Sequence, residues 1–272
     1  MSIQKACLIG VQELAGCYQY PEVVIIDCRF SLADTSLGEQ HYRLDHIPGA
    51  RYFHLDRDMS AVKGCHGGRH PLPDREALAE CLRAAGVNKD SLLVCYDDQR
   101  FAFASRFWWL LRWLGHDNVR VLDGGYKAWL AAGLPTESNI PQSRPGNFAA
   151  QPSALSVLTY PDMLALQAQS LLIDSREAPR YRGEQEPIDP VAGHIPGAIN
   201  KPWAEVTTAD GFALDEAAQR QRWGDIAKQQ DIVVYCGSGV TACVNLLSLA
   251  MIGRDDAKLY AGSWSDWCSY II

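Results

Sequence analysis

The chain has 272 residues, about twice the length of a typical single domain, and 47% hydrophobic with 21% charged residues is an ordinary globular mixture. That excludes a disordered or fibrous chain, and a fold of this length buries roughly three-quarters of its unfolded surface, so neither disulfides nor metal are needed to hold a core. A net charge of −7, from 25 Lys plus Arg against 32 Asp plus Glu with no dense basic run, argues against nucleic acid as a partner.

In chain order, residues 1–16 hold an early Lys5 but no long apolar core, and nowhere do 18 apolar residues follow one another. The chain therefore reads as soluble, unexported and free of membranes. Nine cysteines (Cys7, Cys17, Cys28, Cys65, Cys81, Cys95, Cys236, Cys243, Cys268) are odd in number, scattered and without a Cys-x-x-Cys pair, which is the usage of reduced thiols in a cytoplasm. Val23–Asp27, Leu92–Tyr96 and Val119–Leu122 are short, apolar and β-branched and predict buried strands. Phe103, Phe107, Leu110 or Leu111, and Leu114 fall on one face of a helix. Pro135, Pro141, Pro145 and Pro152, with Ser143 and Gly146, then form a stretch that continues neither helix nor strand. Beyond it the pattern resumes. Leu171–Asp174 and Ile232–Tyr235 predict strands, and Val240, Val244, Leu247 and Met251 predict the helix after the second of them.

The second half repeats the first. Ile25-Ile26-Asp27-Cys28-Arg29 returns as Leu172-Ile173-Asp174-Ser175-Arg176 at an offset of 147, and His46-Ile47-Pro48-Gly49-Ala50 as His194-Ile195-Pro196-Gly197-Ala198 at 148. Val94-Cys95-Tyr96-Asp97 answers Val233-Val234-Tyr235-Cys236 at 139, and Gly125-Tyr126-Lys127-Ala128-Trp129 answers Ser263-Trp264-Ser265-Asp266-Trp267 at 138. A period near 140 residues is too long for a solenoid, so the chain reads as two α/β domains, each a small, largely parallel sheet flanked by helices. Their expected bounds are 1–139 and 156–272, with a linker over 140–155. Elements present in both halves, such as Asp27 with Arg29 and the two His-Ile-Pro-Gly turns, read as scaffold, and Phe107, Trp108, Trp109 and Trp113 as packing.

The sharpest chemistry lies where Ile232–Tyr235 runs into Cys236-Gly237-Ser238-Gly239-Val240-Thr241-Ala242. Glycines let the backbone curl tightly around the sulfur, and the N-terminus of a following helix directs unpaired N–H groups at an anion held in the loop. The same field lowers a cysteine's pKa and makes it a nucleophile. A packing cysteine is the plainer alternative, because free cysteine is among the most buried residue types. The unbroken succession of strand, cysteine, glycine turn and helix favours the nucleophile. The equivalent loop of the first half begins with Asp97 and has no cysteine, so only the second half is expected to be catalytic. A cysteine phosphatase needs Cys-x5-Arg, but the sixth residue after Cys236 is Ala242, and no phosphate-binding glycine motif stands between a strand and a helix. Cys65, His66 and His70 could suggest a metal site, but Gly67 and Gly68 separate the histidines and Pro71 follows, so no metal is expected.

The tandem halves, both His-Ile-Pro-Gly-Ala segments, Asp123-Gly124-Gly125 with Trp129, and Gly262-Ser263-Trp264 resemble the rhodanese superfamily over essentially the whole chain. Within it, Cys236 to Ala242 is similar to the active loop of the 3-mercaptopyruvate sulfurtransferases, whereas thiosulfate enzymes usually carry Cys-Arg-Lys-Gly-Val-Thr. The resemblance implies that Cys236 takes sulfane sulfur from a small donor, becomes a persulfide, and passes the sulfur to a thiol, thioredoxin or cyanide, with no cofactor. It implies substrate contacts from Gly237, Gly239, Val240 and Thr241, and a proton relay in which Ser238 is joined by His70 and Asp56 of the first half. Pro179-Arg180-Tyr181-Arg182-Gly183 matches the family segment whose arginine binds the substrate carboxylate, which assigns Arg180. The family's second arginine is missing, because the chain reads Glu186-Pro187-Ile188-Asp189 at that place. Two alternatives stay open: thiosulfate as donor in the same mechanism, and a persulfide carrier read by partner proteins. Cys243, two helical turns from Cys236, reads as core, with a redox role as the lesser alternative, and Arg106 as a residue able to face the cleft between the halves.

Overall fold

Short apolar runs bounded by turns pair side by side, each covered on both faces by helices, and this arrangement selects parallel strands. In a computed structural model, which describes residues 7–166 and 169–272, all the strand pairs are parallel. Residues 1–6, including Lys5, lie outside the described residues. Strands β1 (Leu8–Ile9), β2 (Val23–Asp27), β3 (Arg51–Tyr52), β4 (Leu92–Tyr96) and β5 (Val119–Leu122) form one sheet in the order β1-β5-β4-β2-β3. Strands β6 (Val157–Leu158), β7 (Leu171–Asp174), β8 (Ile199–Asn200), β9 (Ile232–Tyr235) and β10 (Lys258–Tyr260) repeat that topology as β6-β10-β9-β7-β8. The five longer strands have the bounds that the sequence predicts. The other five are only two or three residues long and offer no periodicity to read. Among the described residues no helix is long and apolar enough to cross a membrane.

The helix after β4, Ala104–Trp113, packs against the helix after β9, Ala242–Met251. Ala104 to Leu111 are all buried, as is every residue of the second helix. This corrects the one-faced pattern expected from the sequence. A helix held between its own sheet and a partner helix is apolar all round. Phe103 and Leu114 flank the first helix rather than belonging to it, and Val240 sits in the loop ahead of the second. One continuous apolar core therefore runs through both halves. Residues 138–156 carry neither helix nor strand and lie along the first half, where Phe148 is buried and its N–H donates to the Val87 carbonyl at 3.1 Å.

The scaffold is duplicated down to its hydrogen bonds. Arg29 Nη2 donates to Asp27 and to the Asp45 carbonyl, both at 2.6 Å, and Arg176 Nη2 donates to Asp174 at 2.6 Å and to the Gly193 carbonyl at 2.7 Å. Tyr96 and Tyr235 each accept the N–H of the isoleucine in a His-Ile-Pro-Gly turn, Ile47 at 3.4 Å and Ile195 at 3.1 Å.

The halves diverge in the loop after the fourth strand of each. In the first, the buried Asp97 carboxylate accepts the N–H groups of Gln99 (2.9 Å), Phe101 (3.1 Å), Phe103 (2.9 Å) and Ala104 (2.8 Å). Backbone donors crowded at a helix start demand an anion, and here the chain supplies its own. Replacing Asp97 by Ala leaves four donors without an acceptor, so Asp97→Ala lowers stability by about 2–4 kcal/mol in urea unfolding. An unchanged midpoint would show that the loop does not need its internal anion.

Candidate active site

In the second half the same loop carries a thiol. β9 ends at Tyr235, and Cys236, only 2% exposed, opens the turn that leads into the helix Ala242–Met251. The Cys236 N–H donates to Ser263 Oγ (3.1 Å), while the carbonyls of Cys236 and Gly237 accept from Trp264 (3.0 Å) and Ser265 (2.9 Å). Gly239 takes φ +76°, and a β-carbon there would stand 2.3 Å from the Ala261 carbonyl oxygen, so no other residue fits. Fastened in this way, the loop leaves the N–H groups of residues 237–241 without an acceptor among the described residues.

The opposite wall comes from the first half. The Gly67 N–H donates to Asp266 Oδ1 (2.6 Å), His66 meets Ser269 Oγ (2.7 Å) and stacks on Tyr270. Gly68, at φ +80°, lies so close to Gly262 that a β-carbon would stand 2.4 Å from its carbonyl oxygen. Seated by these contacts, His70 places Nδ1 2.7 Å from Ser238 Oγ and Nε2 3.3 Å from Asp56 Oδ1. A carboxylate only accepts, so the arrangement puts the His70 proton on Nε2 and leaves Nδ1 to accept the Ser238 hydroxyl. Burial, then the cations of Arg106 and Arg69, push the His70 pKa down to about 3, and a part-exposed carboxylate does not offset them. His70 is therefore neutral at ordinary pH.

Arg106 is wholly buried and bridges the two walls, donating to the Gly239 carbonyl and to the His70 carbonyl, both at 3.2 Å. Its place is thus beneath the cleft floor rather than facing into the cleft. Cys243 is core: its thiol is buried and pushed up to about 12, chiefly by desolvation.

Cys236 borders a cavity of about 270 Å³ whose lining includes Gly237, Ser238, Val240, Thr241, His70 and Arg180. Gly239 does not line it; that residue shapes the turn from behind. Asp56 borders an adjoining space of about 400 Å³ that shares Leu32, Arg69, His70 and Ile188 with the first. A larger cavity, about 750 Å³, lies at the Asp97 loop but contains no thiol, so size is not the guide here. The structure thus gathers the expected Cys236, Ser238, His70 and Arg180 around one space, with Asp56 on the adjoining one behind His70. The sequence does not single out Arg69 and Asp189, which pair across the cleft inside the same site. Adjacency to His70 was the only signal Arg69 offered.

The rhodanese-like domain family matches residues 11–132 and 160–270. A "Probable 3-mercaptopyruvate sulfurtransferase" of Pseudomonas aeruginosa is 46% identical over 97% of this chain and 96% of its own length. SseB of Mycobacterium tuberculosis, whose name carries a provisional thiosulfate sulfurtransferase assignment, is 40% identical over 99% of this chain and 96% of its own. The crystal structure of SseA from Escherichia coli, one of the 3-mercaptopyruvate sulfotransferases, superposes with a TM-score of 0.83 at 33% identity, covering 95% of this chain and 98% of that one.

The buried His70 also sets a pH dependence. Its unfolded pKa is about 6.5 and its folded value about 3, so below pH 6.5 unfolding takes up a proton that the folded site refuses. Stability is lost as pH falls from 6.5 towards 3, and His70→Gln removes that share of the loss. Urea unfolding of both proteins at pH 7.5 and 5 checks this; parallel losses would mean that His70 accepts a proton in the folded state.

Proposed function

This chain belongs to the rhodanese-like family, and from that membership and the Cys236 loop we propose that it is a sulfurtransferase that takes sulfur from 3-mercaptopyruvate. The observation that carries the reading is the meeting of a cysteine and Ser238 in an unpaired N–H cradle with His70 and Asp56 from the opposite half.

The chemistry follows from that geometry. Cys236, as thiolate, attacks the thiol sulfur of the donor; an S–S bond forms and the donor's C–S bond breaks. The electron pair of the broken bond stays on carbon, giving pyruvate enolate, so the transferred sulfur is oxidised and the carbon reduced. The donor's thiol proton moves to that carbon, completing pyruvate and leaving a Cys236 persulfide anion. The Ser238 hydroxyl, oriented by the neutral His70 Nδ1 at 2.7 Å, is placed to relay this proton and to hydrogen-bond the carbonyl as it becomes an enolate. An acceptor thiolate, such as a small thiol or thioredoxin, or cyanide then attacks the outer sulfur and restores the Cys236 thiolate. The redox change is contained within the two sulfurs and the carbon, so the cycle balances without a cofactor. The free N–H groups of residues 237–241 suit the persulfide as an anion. All nine cysteines are unpaired, which fits a reducing cytoplasm.

Thiosulfate is the second reading, because two arginines approach Gly237 and would suit a dianion. Ser238, in the place where a lysine serves a dianionic donor, weighs towards the carbonyl-bearing one. Cys236→Ser is expected to abolish turnover on both donors, and full activity in that variant would sink the mechanism. His70→Ala is expected to lower kcat/KM for 3-mercaptopyruvate about 100-fold, and much less for thiosulfate. Steady-state comparison of the two donors checks this; equal losses would remove Ser238 and His70 from the carbonyl-specific role.

A further inference from the structure

A buried cation needs an anion beside it. Among the described residues three arginines are at most 3% exposed, and two of them have one: Arg29 pairs with Asp27 and Arg176 with Asp174, each at 2.6 Å. Arg106 is the third, at 0%, and no carboxylate among the described residues reaches it. Its Nη1 and Nη2 donate to neutral carbonyls, those of Gly239 and His70, and its buried Nε has no partner among the described residues. A guanidinium keeps its proton even there. Burial works against this charge, and the acidic groups that work for it are the thiols of Cys243 and then Cys236.

Cys243 is not the counter-ion. Its thiol donates at 3.4 Å to the Gly239 carbonyl, which also accepts from Arg106, and desolvation pushes it up to about 12, so it stays protonated. The other charged groups around the Cys236 loop are already matched. Arg176 is held by Asp174 and Glu186, Arg180 by Glu186 and Asp189, and Arg69 by Asp189. Glu177 accepts the Trp203 indole N–H, Asp266 accepts the Gly67 N–H and the Tyr260 hydroxyl, and His70 is neutral. That leaves Cys236, in the loop whose Gly239 carbonyl Arg106 holds, to supply the missing negative charge.

We propose that Arg106 is a positioning residue for sulfur transfer: its unmatched charge beneath the loop finds its counter-ion in the sulfur of Cys236, favouring the thiolate before transfer and the persulfide anion after it. The inference rests on the reading of Cys236 as the sulfur carrier. The unpaired N–H groups of residues 237–241 face the anion from the loop itself, and Arg106 adds a full charge where burial leaves it little screened. A fixed carboxylate on Arg106 would cancel that field, as Asp27 and Asp174 do for the two scaffold arginines. The first half thus lends the cysteine a charge as well as a wall.

The test reads the ionisation of Cys236 with no sulfur donor present. Peptide-resolved mass spectrometry follows alkylation of Cys236 by iodoacetamide between pH 6 and 9.5 in the wild type, Arg106→Lys, Arg106→Met and Arg106→Gln. An unmatched Arg106 predicts alkylation at pH 6.5 about 10- to 100-fold slower in the two neutral variants, a gap that closes by pH 9.5, and Arg106→Lys within about threefold of the wild type. A loss equal at every pH marks a purely structural role and overturns the proposal, as do equal rates in all four proteins or an Arg106→Lys as slow as the neutral pair. Where the neutral variants do not fold, urea unfolding of the wild type against Cys236→Ser decides. The wild type's advantage is expected to grow from pH 6 to 8.5, because the folded chain holds a thiolate where the unfolded chain holds a thiol, and a constant difference overturns the proposal. Sulfur loading of Cys236 from 3-mercaptopyruvate is followed separately by mass. Failure to load while the pH-dependent gap holds overturns the sulfur-carrier reading and leaves the assignment of Arg106 to the thiolate standing.

Discussion

The seating of the residue 64–70 loop on the opposite half is the contact on which the site depends. Two glycines make it possible: Gly67 donates its N–H to Asp266, and Gly68, in a left-handed conformation, brings backbone against the Gly262 carbonyl. Ser263, the next residue, in turn fastens the Cys236 loop, since its Oγ accepts the Cys236 N–H. The wall that carries His70 and the loop that carries the cysteine are therefore registered against the same short turn. Arg106 locks them a second time from below, spending its two terminal nitrogens on one carbonyl from each. Moving either half would separate Ser238 from His70.

The duplicated fold accounts for a division of labour in the proposed mechanism, in which one half carries the cysteine and the other forms a wall. Both present crowded backbone donors where a strand gives way to a helix. In the first half the Asp97 carboxylate fills that cradle permanently with four hydrogen bonds. In the second, Cys236 stands at the equivalent place and the donors of residues 237–241 have no acceptor among the described residues. The first half, relieved of chemistry, contributes residues that its own cradle does not use: Asp56, Arg69 and His70, all projecting onto its neighbour.

The sequence was most informative where the causes are local. The five longer strands are apolar runs with turn residues at both ends, and the Cys236 loop is a contiguous stretch whose glycines declare its curvature. Ser238, His70 and Asp56 were reached through a family resemblance, because nothing local to His70 shows that its partner lies 168 residues away. Arg69 and Asp189 were not reached at all; their ion pair spans 120 residues and depends on how the halves dock. The two central helices misled the periodicity argument for the same reason, since a second helix covers the face that would otherwise be polar. Ile188, read as the loss of a cation, stands on a wall to which the other half brings Arg69.

The central claim is that Cys236 carries the sulfur between donor and acceptor. Intact mass measurement after brief exposure to 3-mercaptopyruvate without acceptor, with pyruvate counted in parallel, tests it most directly. The account predicts one added sulfur per chain, located at Cys236 and matched by one pyruvate, and lost again on addition of a thiol. An unchanged mass, or a sulfur that appears equally in Cys236→Ser, would contradict it.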